Sequence, residues 1–177
     1  MAIYSLFAGL LDYPAQPIER VVNDCSAELA LDCPEVHQHL TAFLDGIAGK
    51  NLGQLQEIYT NAFDLRPDCT PNLGYHLFGD DGRRGLFLAE LKGRMESSGI
   101  DPGCELPDHI SLLLRYMQQN EQEHCAVIED CMLPAVSRMA DVLGSSENPY
   151  KHVVRALLSL LQHQRERAGE AAEAMKI

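Results

Sequence analysis

The sequence predicts an all-α fold, a single globular helical domain of about seven or eight helices packed in two layers. Three observations support this. Apolar residues recur three and four positions apart from one end of the chain to the other, which is the period of a half-buried helix. No segment alternates apolar and polar residues over the length of a strand, and there is no internal repeat. The chain has 177 residues, of which 46% are hydrophobic and 23% charged, enough to bury one sizeable core.

The elements follow in order. Ile3, Leu6, Phe7, Leu10 and Leu11 line one face of a first helix, which Tyr13-Pro14 ends. Pro17 suits the first position of a second helix carrying Ile18, Val21, Val22, Cys25 and Leu29 and ending near Asp32. Pro34 opens a third, with Val36, Leu40, Phe43, Leu44 and Ile47 inward, before Gly46 and Gly49 weaken it. Asn51 and Gln54 have the spacing of a capping box for a fourth, with Leu55, Ile58, Tyr59, Ala62 and Phe63 on the buried side. From Arg66 to Gly82 prolines and glycines break the period, so a loop that packs is expected, and a loop of that length is often functional. Leu86, Leu88, Leu91 and Met95 mark a fifth helix, which Gly99 and Pro102 end. Pro107 is expected to start a sixth, with Ile110, Leu113, Leu114 and Met117 inward. A seventh runs from about Glu121 to Leu143, kinked or divided at Pro134, which lacks a backbone donor. An eighth carries Val153, Val154, Leu157, Leu158 and Leu161. Its apolar stripe then stops, which sets the domain at residues 1–165 and a frayed tail at 166–177.

Charge restricts the partners. With 26 acidic and 14 basic side chains the net charge is −12, so neutralising nucleic-acid phosphates is excluded as a general mode, while a basic partner would be attracted. From Glu96 to Asp130 eight acids meet a single base, Arg115, which reads either as solvated surface or as an acidic rim for a basic peptide. The apolar N-terminus has no preceding basic region and is followed by Asp12, so it does not read as a signal peptide. No stretch reaches the ~20 apolar residues of a membrane span, Val153–Leu161 coming nearest. A cytoplasmic protein without membrane insertion is therefore expected. Its six cysteines, none in a Cys-x-x-Cys pair, are expected to be reduced and mostly buried.

Motifs for catalysis are scarce. Structural zinc needs paired ligands, and the nearest two cysteines, Cys125 and Cys131, stand more than a helical turn apart. His37-x-His39 puts its rings on different helix sides, and Glu121–His124 is the sole Glu-x-x-His pair, where a di-iron bundle needs two. No nucleophile elbow is present. Gly79-Asp-Asp-Gly-Arg-Arg-Gly85 is neither a dinucleotide fingerprint nor a P-loop, and reads as a turn feeding a helix. No metal, cofactor or catalytic residue is expected. Glu105-Leu-Pro-Asp-His109 sets two carboxylates near an imidazole; it reads as proton chemistry, or as acids complementing the start of the Pro107 helix.

Tyr59-x-x-x-Phe63-Asp64-Leu65, His76-Leu77-Phe78, Arg84-Gly85 and Glu105-Leu106-Pro107-Asp108-His109, with Leu11-Asp-Tyr-Pro14 near the start, resemble in order and spacing the NarJ/TorD-type chaperones that assemble molybdenum enzymes. Within that family the chain looks like the branch serving respiratory nitrate reductase. It departs at Arg115, where the family often has an acid, and in a short Phe78–Arg84 connection. The resemblance implies a helical, non-catalytic chaperone that binds the N-terminal segment of a molybdoenzyme catalytic subunit and assists molybdenum cofactor insertion. The alternatives are a client elsewhere in the DMSO reductase family, or a small helical metal- or nucleotide-dependent enzyme. Oligomeric state is left open. By the same resemblance Tyr59, Phe63, His76, Phe78, Arg84, Glu105, Pro107, Asp108 and His109 are the candidate partner-binding residues. Tyr59, Phe63 and Phe78 read as core first and contact second, Pro107 as a helix starter, and Arg84 as the partner of an acid. Asp108 and His109 are the leading contacts, because apolar packing gives no reason for them.

Overall fold

A computed structural model describes residues 3–16, 18 and 33–174, side chains 122, 125 and 172–174 excepted. The expected second helix falls on residues 17–32 and so, Ile18 apart, lies outside the described residues. The described chain is helical throughout, with no strand among its elements. In chain order they are α1 (Ile3–Leu11), α2 (Pro34–Ile47), α3 (Leu52–Ala62), a 3-10 turn (Pro67–Cys69), α4 (Leu73–Phe78), α5 (Arg83–Ser97), α6 (Ile110–Gln119), a second 3-10 turn (Glu121–Glu123), α7 (His124–Val127), a π turn (Ile128–Met132), α8 (Leu133–Gly144) and α9 (Tyr150–Ala174).

The long α9 is the spine. It packs against α2 and α8, while α1 lies along α6, and α4 and the first 3-10 turn rest on α8. The buried faces are those the periodicity indicates: Leu6, Phe7, Leu10 and Leu11; Val36, Leu40, Phe43 and Ile47; Leu113, Leu114 and Met117; Val153, Val154, Leu157 and Leu161. Each such side chain contributes roughly 1.5–3 kcal/mol on leaving water. Gly46 belongs to a packing face, because a Cβ there would meet Pro149 Cβ at 2.9 Å. The capping box forms as expected. Asn51 Oδ1 accepts from Gln54 N–H and Gln54 Oε1 from Asn51 N–H, both at 3.0 Å.

Three expectations give way to the structure, and one is met in an unexpected form. Residues 66–82 are not one loop: a 3-10 turn and α4 occupy them. On α5 only Leu91 and Met95 are buried, and Leu86 is 75% exposed, because this helix lies at the edge and offers the core a narrow stripe. Pro107 does not start a helix. It sits second in the tight turn in which His109 N–H donates to Leu106 O (2.9 Å), where proline's fixed φ is equally suited, and α6 begins at Ile110. Pro134 divides the expected seventh helix: α7, a π turn and α8 take its place, and Pro134 lies in the first turn of α8. Its missing N–H is accommodated by the preceding π turn, in which Leu133 N–H reaches back five residues to Ile128 O.

Smaller differences follow from burial. Among the described cysteines Cys33 and Cys69 are buried, Cys131 is half-buried, and Cys104 is exposed on the loop after α5. Helical structure continues to Ala174 past the end of the apolar stripe. No described helix is long and apolar enough to cross a membrane.

Candidate functional site

The site begins with a contact that sequence spacing cannot display. Asp108 is 0% exposed, although it lies in a polar run. Its Oδ1 accepts from Asn72 Nδ2 (3.0 Å), and its Oδ2 from Gly74 N–H (3.1 Å), Arg84 Nε (3.3 Å) and Arg84 Nη2 (3.2 Å). The carboxylate stands at the start of α4, where Asn72 gives no side-chain cap of its own. It therefore satisfies an amide of α4 from across the chain, not of the helix that follows it in sequence. Gly74 makes room, since a Cβ would lie 2.7 Å from Asp108 Oδ2 and 3.1 Å from the Phe87 ring. Backbone bonds clamp the two segments: Leu73 N–H donates to Asp108 O (2.9 Å) and Ile110 N–H to Pro71 O (2.8 Å).

His109 caps α6. Ser111 N–H donates to its Nδ1 (3.3 Å), and the Ser111 hydroxyl lies 2.8 Å from the same atom. Nδ1 is thus the acceptor, and the neutral ring carries its proton on Nε2. Ser111 Oγ also accepts from Arg115 Nη1 (3.4 Å), and Arg115 pairs with Asp12. Arg115, the residue that departs from the family pattern, thereby ties the turn after α1 to α6. That turn is held again by Gln56 Nε2 donating to Pro14 O (2.9 Å) and Tyr59 Oη donating to Leu11 O (3.0 Å).

Between the turn at 12–14, the end of α3, the segment 67–75 and the Glu105–His109 turn lies an open cleft of about 660 Å³. Five of the nine candidates line it: Tyr59, Phe63, Arg84, Glu105 and His109. Beneath it the aromatic rings are continuous. Tyr59 and Phe63 stand 4.8 Å apart, both meet Tyr150 (5.5 and 5.1 Å), and Tyr150 meets Phe43 at 5.2 Å. Burial drives the Tyr59 and Tyr150 hydroxyls well above the usual phenol range, so both stay neutral. Toward solvent the stack ends in Tyr13, 5.5 Å from Tyr59 and 53% exposed.

The other four candidates sit elsewhere. Asp108 and Pro107 are buried, the former beneath Arg84. His76 is buried with Nε2 donating to Thr70 O (2.7 Å), and its carbonyl accepts from Arg138. Phe78 is half-buried beside Phe87 (5.3 Å) in a second, smaller hollow that Leu91, Val127 and Cys131 also line. Sequence reasoning missed Asp12, Tyr13, Asp64, Asn72 and Tyr75 as site residues. Tyr13 carried a signal, an aromatic side chain in a polar turn where the helical period has lapsed. The long acidic run is divided, with Asp108 buried and Glu123 paired with Arg94 (2.9 Å). No three potential metal ligands cluster among the described residues.

Burial holds the His76 and His109 imidazoles below their ordinary value of 6.5. An unfolded chain takes up protons that the native state refuses, so their stabilising contribution is complete above about pH 6.5 and is lost as pH falls below it. Urea unfolding at pH 7.5 and 5.5 is expected to show lower stability at the lower pH, with the loss reduced in His76→Gln. Equal stability at both would contradict the two buried neutral rings.

Comparison with known proteins is consistent with this architecture. Residues 26–150 match the sequence model of the family described as nitrate reductase delta subunit. The chain is similar to the probable nitrate reductase molybdenum cofactor assembly chaperone NarJ of Bacillus subtilis (strain 168), 26% identical over 162 residues that cover 90% of this chain and 88% of that one. It is also similar to the nitrate reductase molybdenum cofactor assembly chaperone NarJ of Escherichia coli (strain K12), 24% identical over 159 residues, 88% of this chain and 67% of the other.

Proposed function

Starting from the fact that this chain belongs to the nitrate reductase delta subunit family, a family of assembly chaperones and not of enzymes, we propose that it binds the N-terminal segment of a molybdoenzyme catalytic subunit, that of a nitrate reductase. By holding that segment it keeps the subunit open while the molybdenum cofactor is inserted, and does so in the cytoplasm. The observation that supports this reading is the cleft of about 660 Å³, with an aromatic floor of Tyr59 and Phe63 and carboxylates of Asp12, Asp64 and Glu105 among its lining. Buried apolar contact would hold a peptide there, and the acids would speed encounter with a basic one and select for it. The rigid clamp of Asp108, Asn72 and Gly74 keeps one wall in place without turnover of any bond.

The test is a titration of the full chain with a peptide copying the N-terminus of the nitrate reductase catalytic subunit from the same genome. Saturable binding that weakens as salt rises, and that a scrambled peptide does not reproduce, is the expected result. Absence of binding, or binding equal for the scrambled sequence, contradicts the proposal.

A further inference from the structure

Where α2 packs on α9, two histidines meet. His39 on α2 and His152 on α9 hold their ring centres 5.9 Å apart, with the planes inclined by 35°. Both residues are half-buried, so the pair is also open to solvent. Neither ring hydrogen-bonds to another described residue, and His152 Nδ1 is buried with no partner among them. A buried ring nitrogen left unpaired costs free energy, and apolar packing gives no reason for two such rings at one spot. We propose that His39 and His152 form a binding site for one divalent ion of the zinc class, which bonds one nitrogen of each ring and ties α2 to α9.

The chemistry of the two rings favours that occupant. Imidazole nitrogen suits zinc, copper or nickel, whereas magnesium and calcium take oxygen ligands. An ion bonded at ~2.0–2.1 Å to one nitrogen of each of two rings sets the ring centres roughly 5–6 Å apart, in keeping with the separation here. Metal binds the neutral imidazole, and burial foremost, then nearby cationic groups, hold both rings below their ordinary value of 6.5. Glu35, one turn before His39 on α2, adds negative charge that His39 feels, although no third potential ligand clusters with the pair among the described residues. Lys151 and Arg155 are the opposing charges. Lys151 Nζ is engaged with Ser146 O (2.9 Å), and Arg155 lies against Gly144 at the end of α8. With two protein ligands and water at the remaining positions, the ion is held more loosely than in the four-ligand sites that zinc occupies structurally. His39 is one turn from Phe43, whose ring meets Tyr150 at 5.2 Å in the stack beneath the cleft, so an ion here steadies that stack from behind.

The test is a titration of the full chain with Zn²⁺ while the imidazole signals are followed by NMR, with Mg²⁺ as the control. The His39 and His152 signals are expected to shift together and to saturate at one equivalent, with thermal unfolding moving to higher temperature and Mg²⁺ doing neither. His39→Gln and His152→Gln are each expected to weaken binding at least about tenfold, whereas His37→Gln, on another side of α2, leaves it unchanged. Cys104 is exposed, so the titration is repeated in Cys104→Ser, where the same affinity is expected. A shift of one ring alone, loss of binding in Cys104→Ser, wild-type affinity in either His39→Gln or His152→Gln, an equal response to Mg²⁺, or no shift up to about 1 mM Zn²⁺ would each overturn the site. If a glutamine variant fails to fold, the paired ring signals of the wild type decide by themselves.

Discussion

Replacing Asp108 by alanine is expected to lower the unfolding free energy by about 3 kcal/mol. The change leaves the Gly74 amide and the Asn72 side chain without their partner and an arginine whose side chain is only 23% exposed without its counterion. Arg84 can turn toward water, which keeps the loss near the lower end of the ~3–5 kcal/mol seen when a buried pair is broken. Asp108→Asn, which still offers an acceptor to Gly74, is expected to cost less than half as much. Because Asp108 anchors one wall of the cleft without reaching its surface, peptide affinity should fall in step with loss of that wall. The measurements are chemical unfolding alongside titration with the client peptide. A fully stable Asp108→Ala protein that had lost only peptide binding would show that the carboxylate touches the partner directly, contrary to its burial.

Phe63→Ala should be at least as damaging, at about 3–5 kcal/mol. Phe63 is 1% exposed and joins Tyr59 and Tyr150 in the ring stack beneath the cleft. Its removal opens a cavity between α3 and the start of α9, beside the Tyr59 and Tyr150 rings that pack against it. Tyr13→Ala, at the exposed end of the same stack, should by contrast change stability by under about 1 kcal/mol while weakening peptide binding. Thermal unfolding of the two variants checks this ordering, and a reversed order would mean that the stack is not what supports the cleft.

The helices were largely legible because the buried faces of α1, α2, α6 and α9 repeat every three to four residues and the Asn51–Gln54 pair caps in the local way its spacing indicates. Illegible positions are those where one residue type serves two geometries. Pro107 has the φ of a helix start and also of a turn, and only the Leu106–His109 bond distinguishes them. Gly74 looked like a helix breaker but is there to admit a carboxylate. Leu86 keeps helical spacing yet is exposed, because period marks the helix without telling which part of its apolar stripe the core covers. The site was half legible for a related reason. Tyr59, Phe63, Arg84, Glu105 and His109 do converge, whereas the part Asp108 plays depends on α4, more than thirty positions earlier in the chain, and no local pattern encodes such a contact.

The central claim is that this chain serves the maturation of a molybdenum enzyme by binding it. Its most direct test is the molybdenum content of the nitrate reductase catalytic subunit isolated from the native host with and without this chain. A subunit that accumulates deficient in molybdenum without the chain, and is restored by the wild type but not by Asp108→Ala, is the predicted result. Full molybdenum occupancy in the absence of the chain would contradict it.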